Sequence, residues 1–486
     1  MSKNASIKMF PSGKLWGKLI LALVLGGLVA VFLRGDHFSW NSTLVLAIFT
    51  TTLVLWMTVE IGWPSILALV ALTMIPDLGT KVIFPAAFGN PTFLFLLFTF
   101  LLTAALSKTG FIRHVAEYFI HSSFARGSGQ KLCLSVFVSA GLLGLVLSPT
   151  VLFLLYYPLL QELCRQMKLT EKDALANRLM LGTCFTIAIS SGMTPIAHVF
   201  PTMAMGFLSS ISGRSISALE YSIPAILLGL LTFLCMLLLF RIFLPLKSKT
   251  MKTAASSEKT ALRLEREEKV VLGIYFFVIL LWIGPGLLPF LKKVPLLGKL
   301  GLAVPPMVGV VILLLLRNTK GKAYLDLRQD MSTVSWPALM MTASTLAFGA
   351  AFTHPQVAIT KILQEALRPV LSNQSILMFC FIIALWTAVE TNLSSNMVTV
   401  TVVSAIAFPL CMEFQPGLAP LLAVLIGFLS SCSFATPPAH PNVALAGSSG
   451  LSNPIQVLKF GTALVLIAVA LSLLIGVPLM EKILFS

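Results

Sequence analysis

The chain carries two related strings, GMTPIAHVFPTMAMG at 192–206 and FATPPAHPNVALAGSS at 434–449, each inside a long apolar segment. Both contain a Thr-Pro-x-Ala-His sequence, and one constant offset aligns them. Proline removes a backbone donor and clashes with the preceding helical turn, so Pro195 and the pair Pro437-Pro438 are predicted to interrupt two helices. Backbone groups freed inside a membrane are tolerated only where they line a polar cavity. The repeated string therefore predicts a binding site between two broken helices.

The composition places these strings in a membrane protein. Of 486 residues, 57% are hydrophobic and only 11% are charged, and the mean hydropathy is +0.94. A soluble domain has about a quarter of its residues charged. Apolar segments of about 17 to 25 residues, each long enough to cross the hydrocarbon layer as a helix, recur along the chain. The apolar run in residues 1–40 lacks a clear cleavage site, so we interpret it as a first transmembrane helix.

We predict an all-α polytopic membrane protein with about eleven transmembrane helices and two re-entrant hairpins, at 131–163 and 374–412. The predicted spanning segments lie near 17–34, 41–59, 62–78, 91–106, 176–206, 221–245, 270–290, 301–317, 334–352, 418–447 and 456–480.

The net charge of +16 is interpreted as a topology signal. With a cytoplasmic N-terminus, these segments place most of the 34 Lys and Arg residues on the inner side, as the positive-inside rule expects. A nucleic-acid partner is therefore not predicted. The expected location is the plasma (inner) membrane, with the lipid bilayer as the surrounding solvent.

The two halves of the chain repeat one another. The first repeat is predicted at 41–245, with its broken helix at 176–206, and the second at 270–486, with its broken helix at 418–447. A cytoplasmic linker at 246–269 separates them. In this topology the two copies enter the membrane from opposite sides. Inverted repeats of this kind are typical of secondary transporters, whose binding site lies where the repeats meet.

Two further polar stretches lie at the tips of the predicted hairpins, GLVLSPTVLFLLYYP at 144–158 and AVETNLSSNMVTVTV at 388–402. Hydroxyl and amide oxygens coordinate small cations, and the same groups donate hydrogen bonds to anions. The start of a helix adds partial positive charge that favours carboxylate or sulfate oxygens. The tips therefore predict joint binding of a cation and an anion.

These stretches resemble the divalent anion:sodium symporter family of the ion transporter superfamily, which carries dicarboxylates, citrate and sulfate. Ser395-Asn396-Met397 is similar to the second of two Ser-Asn-Thr motifs in that family, and Ser148-Pro149-Thr150 to the first. The resemblance implies a homodimer that carries a small divalent anion, most simply a dicarboxylate, in symport with sodium by an elevator-type mechanism. No organic cofactor is expected, and no catalytic motif such as HExxH occurs, so an enzyme is not predicted.

The resemblance also implies site residues. The substrate contacts that it implies are Ser148, Thr150, Ser395, Asn396, Thr436 and Pro437. Further candidates are Met397, at the threonine position of the second motif, and Ser191 and Thr194, whose hydroxyls border the first break. The implied second-half sodium site consists of Thr391, Ser394, Asn396 and Ala435. The implied first-half sodium site consists of Gly144, Ser148 and Gly192. Pro149 departs from the family pattern because it stands where an asparagine is expected, so the first-half site has fewer ligands.

His198, His440 and Glu390 are candidates for proton transfer or substrate contact, because ionisable residues at membrane depth are costly. An unperturbed histidine titrates near pH 6.5. Together with Pro149, this leads to the hypothesis of one sodium ion, with proton coupling or anion exchange making up the difference. The alternative function is an anion exchanger or proton-coupled transporter of the same superfamily, for sulfate, arsenite or sodium:proton exchange.

Overall fold

The computed structural model describes residues 13–33, 38–246, 264–287, 300–359, 362, 365, 375–436 and 439–485. This described part is almost entirely helical, and its only β-type pairing is an isolated bridge between Arg317 and Ala323. The predicted all-α polytopic fold is confirmed. Pro437 lies outside the described residues, as does most of the linker at 246–269.

Seven of the described helices are long and apolar enough to cross a membrane, or eight if one bent pair counts as a single span. Two of the seven, Ile376–Leu393 and Asn396–Phe414, are the arms of the hairpin predicted at 374–412. Five further apolar helices have 10 to 17 residues. The predicted number of about eleven spans included segments that the structure shows as such shorter helices, for example Val304–Leu315.

The first of two compact units comprises Met1–Gly89 and Trp336–Leu367. Its described helices are α1 (Gly13–Phe32), α2 (Trp40–Thr58), α3 (Gly62–Thr73), α4 (Gly79–Phe88) and α14 (Trp336–Thr353). α1 packs along α2, and α14 packs on α3 and α4. Phe49 meets Phe348 edge to face with 5.0 Å between ring centroids. The unit is therefore a helical bundle with an aromatic contact in its core.

The third helix of this unit is shorter than predicted. The segment expected to span at 62–78 ends as a helix at Thr73, and a separate helix, α4, begins at Gly79. Pro76 cannot continue the helix because it lacks a backbone N–H. Gly79 has a φ of +55°, in the left-handed region that glycine adopts without strain, and this allows the chain to turn.

The second unit comprises Asn90–Ser335 and Arg368–Ser486. Besides a single helical turn at Leu327–Asp330, its described α-helices are α5 (Pro91–Ser107), α6 (Phe111–Ile120), α7 (Gly129–Gly144), α8 (Pro149–Gln166), α9 (Ala174–Met193), α10 (Val199–Ser212), α11 (Ala218–Phe243), α12 (Arg266–Leu287), α13 (Val304–Leu315), α15 (Ile376–Leu393), α16 (Asn396–Phe414), α17 (Ala419–Ser431), α18 (Pro441–Gly447), α19 (Pro454–Leu471) and α20 (Val477–Phe485).

In this unit α7 packs on α9, and α10 packs on α16 and α17. Arg178, a buried arginine in α9, binds the end of another helix. Its Nε–H donates to the carbonyl of Leu244 and its Nη2 to that of Phe240, both at 2.8 Å, so its charge stabilises the C-terminus of α11. The guanidinium group of Arg178 is therefore engaged by the end of α11, and Arg178 is separated in sequence from the predicted site residues.

The order of helices repeats within the second unit. The pair α7–α8, the pair α9–α10 and the long helix α11 are followed later by the pair α15–α16, the pair α17–α18 and the long helix α19. The compact units do not follow the halves of the chain, because α14 packs with the N-terminal helices. Two repeats can be related by symmetry without each packing as a separate unit. The repeat boundaries at 41–245 and 270–486 therefore stay a prediction.

Candidate functional site

Four interruptions between helices of the second unit form the candidate site. The first tip is the segment 145–148 between α7 and α8, and the first break is 194–198 between α9 and α10. The second tip is 394–395 between α15 and α16. The second break is 432–440 between α17 and α18, of which 437 and 438 lie outside the described residues. None of the four segments contains Lys or Arg.

The first break is held by hydroxyl groups. Thr194 is extended, with φ −136° and ψ 147°, as expected directly before Pro195. Its hydroxyl donates to the carbonyl of Leu145 at 2.6 Å and so ties the break to the first tip. The Tyr221 hydroxyl donates to the carbonyl of Gly192 at 2.9 Å. Carbonyl groups freed at the ends of α7 and α9 are thus bound by side chains of the chain itself.

Three residues predicted for the first half have packing roles in the structure. The Ser191 hydroxyl donates to a carbonyl of its own helix at 2.8 Å. A methyl group added to Gly144 would overlap the hydroxyl of Ser190, and one added to Gly192 would lie 2.9 Å from Cβ of Ser431. Glycine at both positions therefore permits the close approach of α7 and α17 to α9.

The second break is organised by Asn392. Its Oδ1 accepts from the backbone N–H groups of Phe434 at 3.0 Å and Ala435 at 2.8 Å. Its Nδ2 donates to the carbonyls of Ala388 at 2.9 Å and Cys432 at 3.0 Å. An amide offers two donor hydrogens and two acceptor lone pairs, and all four are used here. Asn392 therefore clamps the broken backbone and has no capacity left for a ligand.

This clamp corrects the predicted position of the second break. The proline pair at 437–438 was expected to interrupt the helix, but α17 already ends at Ser431. The helix ends early because Asn392 supplies hydrogen bonds to backbone groups that would otherwise bond along α17. The hydroxyl of Thr436, a predicted substrate contact, donates to the Asn392 carbonyl and continues the same arrangement.

The second tip is rich in oxygen atoms that lack partners. Ser394 Oγ in the second tip and Asn396 Oδ1 directly after it are buried without a hydrogen-bond partner among the described residues, and so are Glu390 Oε2 in α15 and Ser430 Oγ in α17. Nearby, Thr391 donates to the Ser430 carbonyl and Asn396 Nδ2 donates to Ser433 Oγ, both at 2.8 Å. A buried polar group without a partner costs about 1–3 kcal/mol, so such oxygens are expected to bind water or a ligand. Oxygen donors of this kind suit a small hard cation.

The predicted residues around the second tip are therefore brought together. Thr391 donates to the Ser430 carbonyl near the end of α17, and Asn396 donates to Ser433 in the second break, the segment that continues to Ala435. Ser395 precedes α16, and its side chain makes no cap hydrogen bond. Met397 is buried, with 9% of its surface exposed. The first N–H groups of α16 have no partner within the helix and, with the Ser395 hydroxyl, are donors for an anion.

The carboxylate of Glu390 is half-buried at the end of α15 and is hydrogen-bonded to the Trp386 side chain. Its other oxygen, Oε2, has no partner among the described residues. Glu390 thus places an ionisable carboxyl group in the last turn of α15, four residues before Ser394.

The first tip has fewer such groups. Ser148 precedes α8 without capping it, and Pro149 is the first residue of that helix. Thr150 is half-buried in the first turn. The carbonyl of Pro149 accepts a hydrogen bond of 3.0 Å from Nδ2 of Asn442, which lies in α18 of the second half. The first tip and the second break are therefore directly connected.

The two histidines differ in their contacts. His440 is the residue before α18, and its Nδ1 accepts from the backbone N–H of Asn442 at 3.2 Å. His198 precedes α10 but makes no cap bond, and its buried Nδ1 has no partner in the described part of the chain. Its ring lies 3.8 Å from that of Phe200, centroid to centroid. His440 therefore has a structural role, whereas His198 retains an unused polar atom.

Sequence reasoning missed Asn392, Asn442 and Tyr221 as site residues. The available signal was the cost of an amide or phenol group in an apolar helix, which must be met by hydrogen bonds. In a regular helix the backbone N–H and C=O groups are already hydrogen-bonded to each other. The partners of a buried amide or phenol group are therefore expected among the free backbone groups of the four interruptions.

Comparisons with known proteins agree with this architecture. The citrate transporter family model matches residues 44–427. An uncharacterized transporter of Haemophilus influenzae is 23% identical over 484 residues, covering 98% of this chain and 99% of that protein. An uncharacterized transporter of Methanocaldococcus jannaschii is 22% identical over 343 residues, covering 70% and 72%. The crystal structure of the Alcanivorax borkumensis YdaH transporter is similar in fold, with a TM-score of 0.50 at 12% identity, covering 95% and 97%.

The family match extends through both tips and into α17, and the full-length relative is a transporter. The predicted resemblance to transporters of citrate and related anions is confirmed, as is the prediction of a membrane transporter rather than an enzyme. Because the family model covers most of its length, this chain belongs to the citrate transporter family.

Proposed function

We propose that this chain is a secondary active transporter that carries small divalent anions, dicarboxylates of the succinate, malate and citrate class, in symport with sodium. The main support is the set of unpartnered buried oxygens at the second tip, next to the start of α16. All four interruptions lie within one compact unit, as is required of a transport body that moves as a whole in an elevator-type mechanism.

Sodium is assigned to the second tip. Its ligands would be the oxygen atoms of Thr391, Ser394 and Asn396, with the backbone carbonyl of Ala435. Ser394 Oγ and Asn396 Oδ1 carry the assignment, since both are buried acceptors without a partner among the described residues.

The anion is assigned to the start of α16 and to the first tip. Its donors would be the Ser395 hydroxyl, the first N–H groups of α16, and the hydroxyls of Ser148 and Thr150. Without Lys or Arg in the four segments, positive potential must come from helix starts and the bound cation. Anion binding is then coupled to cation binding, because each lowers the free energy of the other.

Replacing Asn396 with alanine is expected to weaken sodium and substrate binding together. The change removes one cation ligand and loosens the start of α16, so the sodium concentration for half-maximal uptake and the substrate KM should each rise about tenfold. Uptake of labelled succinate, citrate and sulfate into proteoliposomes, with sodium or choline as the outside cation, measures both quantities.

The matched control for this variant is Asn453→Ser. Asn453 caps α19 by accepting from the N–H of Gln456 at 3.0 Å, and serine keeps that cap. Wild-type sodium activation in Asn396→Ala would contradict the assignment of the second tip. Uptake of the dicarboxylates that is indifferent to sodium in the unmodified protein would contradict sodium symport itself.

A second candidate function is proton-coupled transport or anion exchange by the same fold. The transported species would be sulfate or arsenite, or the protein would exchange sodium for protons. The observation that favours it is the buried Nδ1 of His198, which has no partner in the described part of the chain. Under this alternative, one sodium ion binds at the second tip. Sodium activation would then be hyperbolic, with a Hill coefficient close to one.

If His198 carries the coupling proton, His198→Gln is expected to flatten the pH dependence of uptake, because glutamine keeps the polarity but cannot titrate. His440→Gln is the matched control, since a glutamine carbonyl can still accept from the N–H of Asn442. A pH profile unchanged by His198→Gln, together with steep sodium activation, would reject this candidate and leave sodium symport in place.

We further propose a homodimer, as the likeness to the symporter family implies, and a cytoplasmic N-terminus in the plasma membrane, as the distribution of Lys and Arg predicts. Cross-linking in native membranes tests the dimer, and protease access to an N-terminal tag in sealed vesicles tests the orientation. A monomer in the membrane, or a tag cleaved only from outside, would contradict these assignments.

A further inference from the structure

A cleft distinct from the four interruptions lies where α12 begins and α13 ends. Its volume is about 340 Å³. It is lined by Arg266, the first residue of α12, and by Arg317, the second residue after α13. No aspartate or glutamate occurs among the described residues of its lining. Two guanidinium groups without an opposing carboxylate in the lining give the cleft a positive potential.

The segment that carries Arg317 is a tight turn, residues 317–323, here called the basic turn. An antiparallel bridge joins its first and last residues. Oδ1 of Asn318 accepts from the backbone N–H groups of Lys320 and Lys322, both at 3.0 Å. The backbone N–H of Asn318 donates to the Lys322 carbonyl at 2.7 Å. The backbone of the basic turn is thus fixed before any ligand binds, which lowers the entropic cost of binding.

The carboxyl groups closest in sequence to Arg266 have partners of their own. Oε1 of Glu267 accepts from the Thr319 hydroxyl at 2.8 Å and so ties α12 to the basic turn. Glu268 is buried, and its Oε1 lies 2.9 Å from Nδ1 of His114. Both groups therefore hold the walls of the cleft together.

The two arginines retain donors for an anion. Nη1 of Arg317 donates to the carbonyl of Leu314 at 2.6 Å, near the end of α13, whereas its Nη2 and Nε make no hydrogen bond to a described residue. Arg266 makes neither a hydrogen bond nor an ion pair within the described ranges. A guanidinium group presents a planar fork of donors that matches the oxygens of a phosphate group. The cleft therefore suits a phosphate group.

The cleft also has apolar walls, and apolar surface lies beside it. Val270 of α12 and Leu316 belong to its lining. On the neighbouring turns, Leu315 has 71% of its surface exposed, and Phe276 has 69%. Both helices lie in predicted spanning segments and pack against each other. Exposed apolar side chains on such helices face hydrocarbon, so the ligand that fits combines a phosphate group with an acyl chain.

We propose that this cleft binds an anionic phospholipid, with its phosphate group on Arg266 and Arg317 and an acyl chain along the exposed faces of α12 and α13. Basic pockets between membrane helices bind anionic headgroups in this way. The volume lies within the range of about 300–1,000 Å³ that is usual for small-molecule sites. The proposal does not depend on which anion the protein carries.

The test uses thermal unfolding of the delipidated full-length protein in detergent, titrated with phosphatidylglycerol or phosphatidylcholine. Phosphatidylglycerol is expected to raise the unfolding temperature, and phosphatidylcholine, which has no net charge, is not. Arg266→Gln is expected to raise the half-maximal phosphatidylglycerol concentration about tenfold, because it removes one charge-assisted contact. Arg241→Gln, at an exposed arginine in the last turn of α11, is the matched control and should stay within about twofold.

Leu315→Gln and soluble glycerol 3-phosphate separate a lipid from a free phosphate. Leu315→Gln is expected to weaken phosphatidylglycerol binding about fivefold, because it removes apolar surface beside the cleft. Glycerol 3-phosphate is expected to leave the unfolding temperature unchanged at the same concentrations. Equal stabilisation by glycerol 3-phosphate would overturn the proposal in favour of a soluble anion. Equal loss in Arg266→Gln and Arg241→Gln, or no response to phosphatidylglycerol, would overturn the cleft as a lipid site.

Discussion

Replacing Asn392 with alanine is expected to abolish uptake and to destabilise the folded protein. The change leaves the N–H groups of Phe434 and Ala435 and the carbonyl of Cys432 without their partner, in a region where all three residues are buried. Each buried group that loses its partner costs about 1–3 kcal/mol. We expect a loss of about 3 kcal/mol or more in the free energy of unfolding. The initial rate of uptake is expected to fall about a hundredfold or more.

Thermal unfolding in detergent and uptake into proteoliposomes measure the two effects. Asn392→Asp separates the two sides of the clamp, because aspartate can still accept from Phe434 and Ala435 but cannot donate to Ala388 or Cys432. Its expected stability lies between those of the unmodified protein and Asn392→Ala. An alanine variant with ordinary stability and uptake would show that the second break keeps its shape without the amide.

Local chemistry explains which features of the fold were predictable from the sequence. Proline restricts its own helix and the residue before it, so the end of α9 at Thr194 could be predicted from Pro195 alone. The second break differs, because α17 ends at Ser431 through hydrogen bonds from Asn392 in α15. A contact between segments distant in the chain leaves no local pattern, so this end was placed too late.

The same distinction applies to the site. Polar residues in apolar segments marked both tips, but their number does not show which oxygens remain free. The Ser191 hydroxyl bonds within its own helix, whereas Ser394 Oγ has no partner in the described chain. Only the three-dimensional arrangement separates such cases. Asn442 illustrates the limit most clearly, since its partner, Pro149, lies in the opposite half of the sequence.

Gly461 is the residue whose enlargement is expected to distort the second break most directly. It lies within α19, where the helix approaches the backbone of Phe434 and Ala435. A methyl group there would overlap the Phe434 carbonyl oxygen and lie 2.6 Å from Cα of Ala435. Backbone atoms cannot rotate away as a flexible side chain can. Gly461→Ala therefore requires α19 or the break itself to move.

We expect Gly461→Ala to lower stability by about 1–3 kcal/mol, the usual range for an overpacked core, and to reduce uptake about a hundredfold through displacement of Ala435. Gly273→Ala is the matched control, because a methyl group on that residue of α12 has no neighbour within 4 Å. Alanine also favours helix over glycine by about 1 kcal/mol, so the control should be neutral or stabilising. Equal stability and equal uptake in the two variants would show that the second break tolerates displacement. Binding of sodium and substrate would then not depend on the position of the break.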